Sequence, residues 1–211
     1  GNTGFITALY IVLVPFLSAL FLKTKISRDV LAAASLAVTG LYLLTTGGAG
    51  LSRFSYGDLL VLIGAVFWAL QILTMKRVLE EMDPLVYSAG QFAVCTLLNL
   101  IAWTVFEGAD VSALRVNLPP VIFSGVFVIA GGFTLQAYGM RHVDPARAAT
   151  ILGLESVFGM IFGMIIFQER PLILQAIGAA LIFAAATIAS RSETEPHPTG
   201  TQLPAEPKGT K

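Results

Sequence analysis

The sequence predicts an all-α protein, a polytopic transmembrane helix bundle, and three observations lead there. Residues from the set AVILMFWYC make up 55% of the 211 positions, while charged residues make up only 12%. With the 20 glycines added the apolar share is about 65%, against about 45–50% in a soluble domain. The apolar residues are also gathered into seven long runs divided by charge, Pro or Gly. Each run is near the roughly 20 residues of helix that cross a bilayer core about 30 Å thick. A water-exposed surface has no room for that much apolar side chain.

Span A covers Gly4–Leu22 and carries Pro15 at mid-membrane, where a missing amide donor is expected to kink the helix. Span B, Val30–Gly47, begins Ala-rich and only mildly hydrophobic. Span C is Leu59–Met75, and span D, Leu85–Phe106, ends with Trp103 and Phe106, which suit an interfacial aromatic belt. Span E, Pro119–Met140, has Tyr138 in a similar position. Span F, Pro145–Phe167, holds an acid near its centre, and span G is Pro171–Ser190. Beyond it, Arg191–Lys211 holds Pro196, Pro198, Pro204 and Pro207 with almost no large apolar residue, the composition of a disordered tail.

Orientation follows from the basic residues of the short loops. Lys23, Lys25 and Arg28 lie between A and B, Lys76 and Arg77 between C and D, and Arg141 and Arg147 between E and F. Arg191 opens the tail, whereas the alternate loops hold only Arg53, Arg115 and Arg170. The richer set is expected in the cytoplasm, with the N-terminus outside. Glu80, Glu81 and Asp83 read as a solvated loop face.

Several function classes lack their parts. Thirteen Lys+Arg balance thirteen Asp+Glu, so no basic field exists to gather nucleic acid. Cys95 has no cysteine to pair with, and His142 and His197 with that thiol are too scattered for a zinc site. No HExxH, GxSxG or P-loop string occurs. Neither cofactor nor metal is expected.

The chain opens on Gly1, not Met, and enters span A with no basic lead and no cleavage site, so its beginning is expected to be absent. Spans A and F match without gaps, Ala8–Leu22 on Ala149–Gly163, with Pro15 opposite Ser156. Each leads to an Ala/Gly-rich span, B or G. If A–B echoes F–G, residues 1–50 are the last two helices of a first repeat and residues 51–190 a complete five-helix second one. Residues 191–211 are then a disordered cytoplasmic tail. An odd-numbered repeat inverts at each copy, as is common among secondary transporters. The chain would show seven spans of ten, in two inverted five-helix repeats.

The residues carry a family resemblance. The stretch GNTGFITALYIVLVPFLSALFLKTKIS resembles the fourth helix of EamA-type members of the drug/metabolite transporter superfamily. The stretch YGMRHVDPARAATILGLESVFGMIFGMIIFQERPLILQAIGAALIFAA resembles the family's ninth and tenth helices. The pattern there is a small-residue lead, LEP or LES, a Gly/Ala-rich half-helix, GE, and an Ala/Gly-rich closing helix. Leu154-Glu155-Ser156 keeps it, while Gln168-Glu169-Arg170 has Gln in place of the usual Gly. Tyr56-Gly57-Asp58-Leu59-Leu60 through Trp68-Ala69 is similar to the opening of the second repeat. The resemblance covers Gly1–Ser190. It implies a ten-helix inner-membrane carrier of a small organic metabolite or drug-like solute, working by alternating access without ATP.

Polar residues at membrane depth mark candidate sites, since an acid there costs roughly 2.5–3.5 kcal/mol on insertion scales. Glu155 shares a helix face with Gly159 and Gly163, opposite the bulky Ile151, Leu154, Phe158, Ile161 and Ile165. Two readings stand. Glu155 lines a substrate or ion path, or it bonds a neighbouring broken helix while Gly159-x-x-x-Gly163 serves close packing. Span D aligns Ser88, Gln91, Cys95 and Asn99; span C aligns Gly64, Trp68, Gln71 and Met75; span E aligns Gly125, Gly132, Gln136 and Gly139. Singly, each amide suits a helix-to-helix bond; together they exceed what a solid bundle needs and indicate a cavity with Trp68 as a wall. The expected path is therefore Glu155, Trp68, Gln71, Gln91, Asn99 and Gln136, with Pro15, Ser156, Gly159 and Gly163 as packing or hinge positions. An intramembrane enzyme would need a second acid or a His near Glu155 at membrane depth, and the spans hold none. The alternative is a non-transporting subunit or channel whose amides join helices. The expected partners are a small solute and the lipid bilayer; oligomeric state stays open, a homodimer included.

Overall fold

The computed structural model describes residues 2–23, 26–51, 55–106 and 117–191. Lys25, Arg53, Arg115 and the expected tail from 192 onward lie outside the described residues. All regular elements among the described residues are helical: α1 (Asn2–Thr7), α2 (Tyr10–Phe21), α3 (Arg28–Thr46), α4 (Tyr56–Val78) and α5 (Pro84–Phe106). They continue as α6 (Leu118–His142), α7 (Pro145–Leu152), α8 (Leu154–Ile166) and α9 (Ile173–Arg191). These make seven spans long and apolar enough to cross a membrane, α1–α2 and α7–α8 each forming one.

Polar caps set the helix ends, which is why α4 outruns its apolar stretch. The Ser55 hydroxyl accepts from the Asp58 amide at 3.2 Å, and Asp58 Oδ2 accepts from the Ser55 amide at 2.8 Å. That reciprocal pair starts α4 at Tyr56, and Lys76 and Arg77 suit its negative C-terminal end. Ser27 caps α3 by accepting from the Val30 amide at 3.2 Å. Asp83, expected on a solvated loop face, accepts from the Leu85 amide at 2.8 Å and so fixes the start of α5.

Spans A and F are each interrupted, at Ala8–Leu9 and at Gly153, and the two then run in step. Their second halves end at Phe21 and Ile166. Each is followed by a left-handed residue, Lys23 or Gln168, both at φ 54°. The next helices begin at Arg28 and Ile173 and end at Thr46 and Arg191. This register pairs Tyr10 with Glu155. It lies one helical turn from the register read off the sequence, which set Pro15 against Ser156. Sparse identities carried the earlier match, whereas backbone breaks and caps carry this one.

The closing helices α3 and α9 pack along most of their length on a seam of small residues. Ala33, Ala37 and Gly40 meet Gly178, Ile182 and Ala185, all buried. A Cβ on Gly40 would stand 2.6 Å from the Gly178 carbonyl oxygen, and one on Gly178 would run into the Gly40 carbonyl in return. The Gln175 amide nitrogen donates to the Leu44 carbonyl at 3.2 Å, and its oxygen accepts from the Leu172 amide at 2.8 Å, locking the ends of the pair. Against this pair lie α2 and α7, which meet where a Cβ on Gly153 would stand 2.8 Å from Ile11 Cδ1. Ile11, Val14, Ile72, Met75, Ala149 and Ile182 form the core around that crossing.

The other two spans are peripheral. Pro84 and Ser88 are the buried residues of α5, and Ala137 and Met140 those of α6. Lys76 holds α6 by donating to the carbonyls of Met140 at 3.2 Å and Arg141 at 3.1 Å. From Ser124 to Phe133 α6 widens into a π-helix, whose i→i+5 bonds turn Gly125 out of the α-helical face expected to link it with Gly132 and Gln136.

Three substitutions test this packing. Gly40→Ala is expected to destabilise by about 1–3 kcal/mol, because backbone stands where its methyl would go, while Gly64→Ala meets nothing within 4 Å and should lose nothing. Gln168→Gly is expected to stabilise by about 1 kcal/mol by relieving the left-handed strain. Unfolding of the detergent-solubilised chain checks all three, and a neutral Gly40→Ala would refute the close α3–α9 contact.

Candidate functional site

Immediately past each break stands one polar side chain at membrane depth. In α2 it is Tyr10, only 2% exposed; in α8 it is Glu155, left uncovered by the chain's own helices. They flank the place where the two spans touch, a Cβ on Gly153 standing 2.8 Å from Ile11 Cδ1. Among the described residues the Glu155 carboxylate has neither a hydrogen bond nor an ion-pair partner. Gly159, one turn below it, has open space where a Cβ would be.

Aromatic rings extend the site. Tyr10 lies on Trp68 of α4 with ring centroids 6.3 Å apart and a tilt of 45°. Trp68 in turn meets Phe133 of α6 edge-on at 5.9 Å. Trp68 is 37% exposed, so part of its ring stays available. The result is a run of three aromatic rings drawn from α2, α4 and α6, beginning at Tyr10.

The amides form a second group. Gln71 Nε2 donates to Gln91 Oε1 at 3.4 Å, joining α4 to α5. Gln71 Oε1 and Gln136 Nε2 are buried and have no partner. The Trp68–Phe133 contact above and the Lys76–Met140 bond below set α4 and α6 side by side, with Gln71 and Gln136 at one level. An orphan acceptor and an orphan donor thus occupy the same layer. Beside Gln91 a shallow groove of about 500 Å³ runs along α5, lined mainly by Val78, Met82, Val86 and Val94. Asn99 stands apart from this group, its Nδ2 donating at 2.8 Å to the Cys95 carbonyl of its own helix.

The expected hinge and packing residues separate by role. Pro15 stays inside α2, where it cannot serve the Ile11 carbonyl, and the interruption falls earlier, at Ala8–Leu9. Ser156 donates its backbone amide to the Gly153 carbonyl at 3.2 Å, so the break precedes it. Gly163 faces no helix: a Cβ there would stand 2.8 Å from Glu169 Oε2, so this glycine makes room for the acid of the following turn. Phe158, Ile161 and Ile165 lie exposed, as a lipid-facing flank requires. No cluster of three or more His, Cys, Asp or Glu able to hold a metal occurs among the described residues.

Sequence reasoning missed Tyr10 and Phe133. A signal for Tyr10 existed, since its hydroxyl lies well inside a span and not in an interfacial belt. Phe133 had none, because its orientation depends on the π-helical turn.

The chain is similar to proteins of known sequence and fold. A protein from Archaeoglobus fulgidus is 28% identical over 189 residues, covering 90% of this chain and 60% of that protein. One from Methanothermobacter thermautotrophicus is 26% identical over 180 residues, covering 84% of this chain and 52% of that protein. Both are named only as uncharacterized transporters. The chain therefore spans 52–60% of the length of these relatives. A solved crystal structure shares the fold with a TM-score of 0.74 at 20% identity, over 90% of this chain and 66% of that one. Residues 55–191 match the model of the EamA-like transporter family. With seven apolar spans, that fold and that match over most of its length, this multi-pass membrane chain belongs to the EamA-like transporter family.

Proposed function

We propose that the protein is a secondary carrier of a small organic solute that works by alternating access, with Glu155, Tyr10 and Trp68 at its centre. One observation carries this reading. The two interrupted spans cross at Ile11 and Gly153, and each presents a polar side chain directly after its break. Interrupted helices meeting near the midplane are how secondary transporters build a solute site that two halves can open in turn.

The matched backbone landmarks of α1–α3 and α7–α9 support the repeat assignment. On this reading residues 1–50 are the last two helices of a first repeat and residues 51–190 a complete second one, inverted relative to it. The basic loops support an inner-membrane protein with its N-terminus outside and its C-terminal tail in the cytoplasm. Gln71, Gln91 and Gln136 extend the path toward the cytoplasmic ends of α4 and α6. Asn99, bonded to its own turn, contributes less.

Purified protein reconstituted into liposomes is expected to take up its solute with saturation. Linear flux would indicate a channel, and no flux a subunit whose amides join helices. Glu155→Gln should lower uptake about tenfold, the scale of one lost charge-assisted bond, with the protein still monodisperse in detergent; unchanged uptake removes Glu155 from the path. A reporter fused after Arg191 should read as cytoplasmic, and an external reading overturns the orientation.

A further inference from the structure

We infer that the groove along the first half of α5 holds one acyl chain of a phospholipid whose headgroup carries both a phosphate and an ammonium. The inference concerns the lipid-facing side of α5 and holds whether or not the protein is a carrier.

Shape comes first. Val86, Gly90 and Val94 follow at four-residue steps and share one face of α5, with Val78 and Met82 toward one end of the groove and Cys95 at the other. From Val86 to Cys95 the helix rises about 13 Å, close to the roughly 15 Å of one leaflet in a bilayer core about 30 Å thick. The span itself has 23 residues, enough to cross both leaflets. The groove therefore ends near mid-membrane. Beyond it Leu98, Ile101 and Val105 stand exposed and line no part of it. A neighbouring helix would press on both halves of α5, whereas an acyl chain spans one leaflet.

The wall supplies the second observation. It is almost wholly apolar, and the side-chain oxygen of Gln91, its one amide, already accepts from Gln71 at 3.4 Å. A polar solute would find little to bond there. Bulk lipid tails are as apolar as this wall, so close contact is what retains a chain, and a concave surface touches it on more than one side. Gly90 opens the middle of the groove: nothing stands within 4 Å of where its Cβ would be.

The end at the bilayer surface supplies the third. The turn from α4 to α5 carries Glu80, Glu81 and Asp83, and Lys76 and Arg77 stand just before it. Lys76 also brings the end of α6 alongside, donating to the Arg141 carbonyl at 3.1 Å. A headgroup with both charges meets both signs there, while a purely anionic one meets three acids.

Native mass spectrometry of the full chain in detergent reads the site directly. Titrated with phosphatidylethanolamine, the chain is expected to bind one lipid saturably, and phosphatidylglycerol with the same acyl chains about threefold more weakly. Gly90→Leu, whose side chain fills the groove, should weaken binding about tenfold, and Val94→Phe should act likewise. Gly90→Ala leaves most of the groove open and Leu98→Phe lies one turn beyond it, so both should retain the lipid. Added phosphatidylethanolamine should raise the Tm of the unaltered chain and not that of Gly90→Leu, with circular dichroism showing equal helix content in the two. Binding without saturation, a preference for phosphatidylglycerol, or full retention by both Gly90→Leu and Val94→Phe overturns the inference. So does a dimer that Gly90→Leu dissociates, which would give the groove to a second copy of the chain.

Discussion

The reciprocal approach of two backbones at Gly40 and Gly178 is the constraint on which the bundle depends. Inside a bilayer no hydrophobic force draws helices together, so close contact and small residues must do it. Here each glycine leaves the space that the carbonyl of the other fills, and Ala33, Ala37 and Ala185 extend the seam. The helices before α3 and α9 end at Phe21 and Ile166. Lys23 and Gln168, both left-handed at φ 54°, stand at matching places after them. The crossing of α2 and α7 at Ile11 and Gly153 follows from this frame.

Interrupting a helix in a membrane is costly unless the freed backbone groups are bonded or covered. Around Ala8–Leu9 the chain meets that demand with tighter bonds, from the Leu9 amide to the Ile6 carbonyl at 3.1 Å and from the Ile11 amide to the Ala8 carbonyl at 3.0 Å. At Gly153 the bond from Ser156 does the same at 3.2 Å. Both breaks lie against packed neighbours, with Ile11 fully buried between them. The fold therefore supports two interruptions at one depth, and that sets Tyr10 and Glu155 at comparable positions.

The number, order and approximate limits of the spans were legible because apolar runs are a property of composition. Their ends were less so: Ser55, Asp58 and Asp83 are polar, and a hydrophobic count passes over the caps they form. Glu155 was legible as an expensive residue, and the Gln71–Gln91 pairing as an expected polar face. The register of A against F was not. Pro15 looked like the break, yet proline can ride within a helix whose neighbours are packed, and the actual turn falls at Ala8–Leu9, two ordinary helix formers. Gln168 is strained at φ 54°, a conformation that favours a residue without Cβ and so suits the glycine that the family resemblance implies there.

The two polar groups differ in what can satisfy them. Gln71 Oε1 and Gln136 Nε2 are an acceptor and a donor on one level, so a single water or a solute amide completes both without any charge. The Glu155 carboxylate has no such remedy. A water offers it donors but no countercharge. Satisfying it takes a proton or a positive group, and either one changes the charge of the space between the two broken helices. On the proposed carrier reading, which needs a site whose state differs between loaded and empty, Glu155 is the group able to supply that difference.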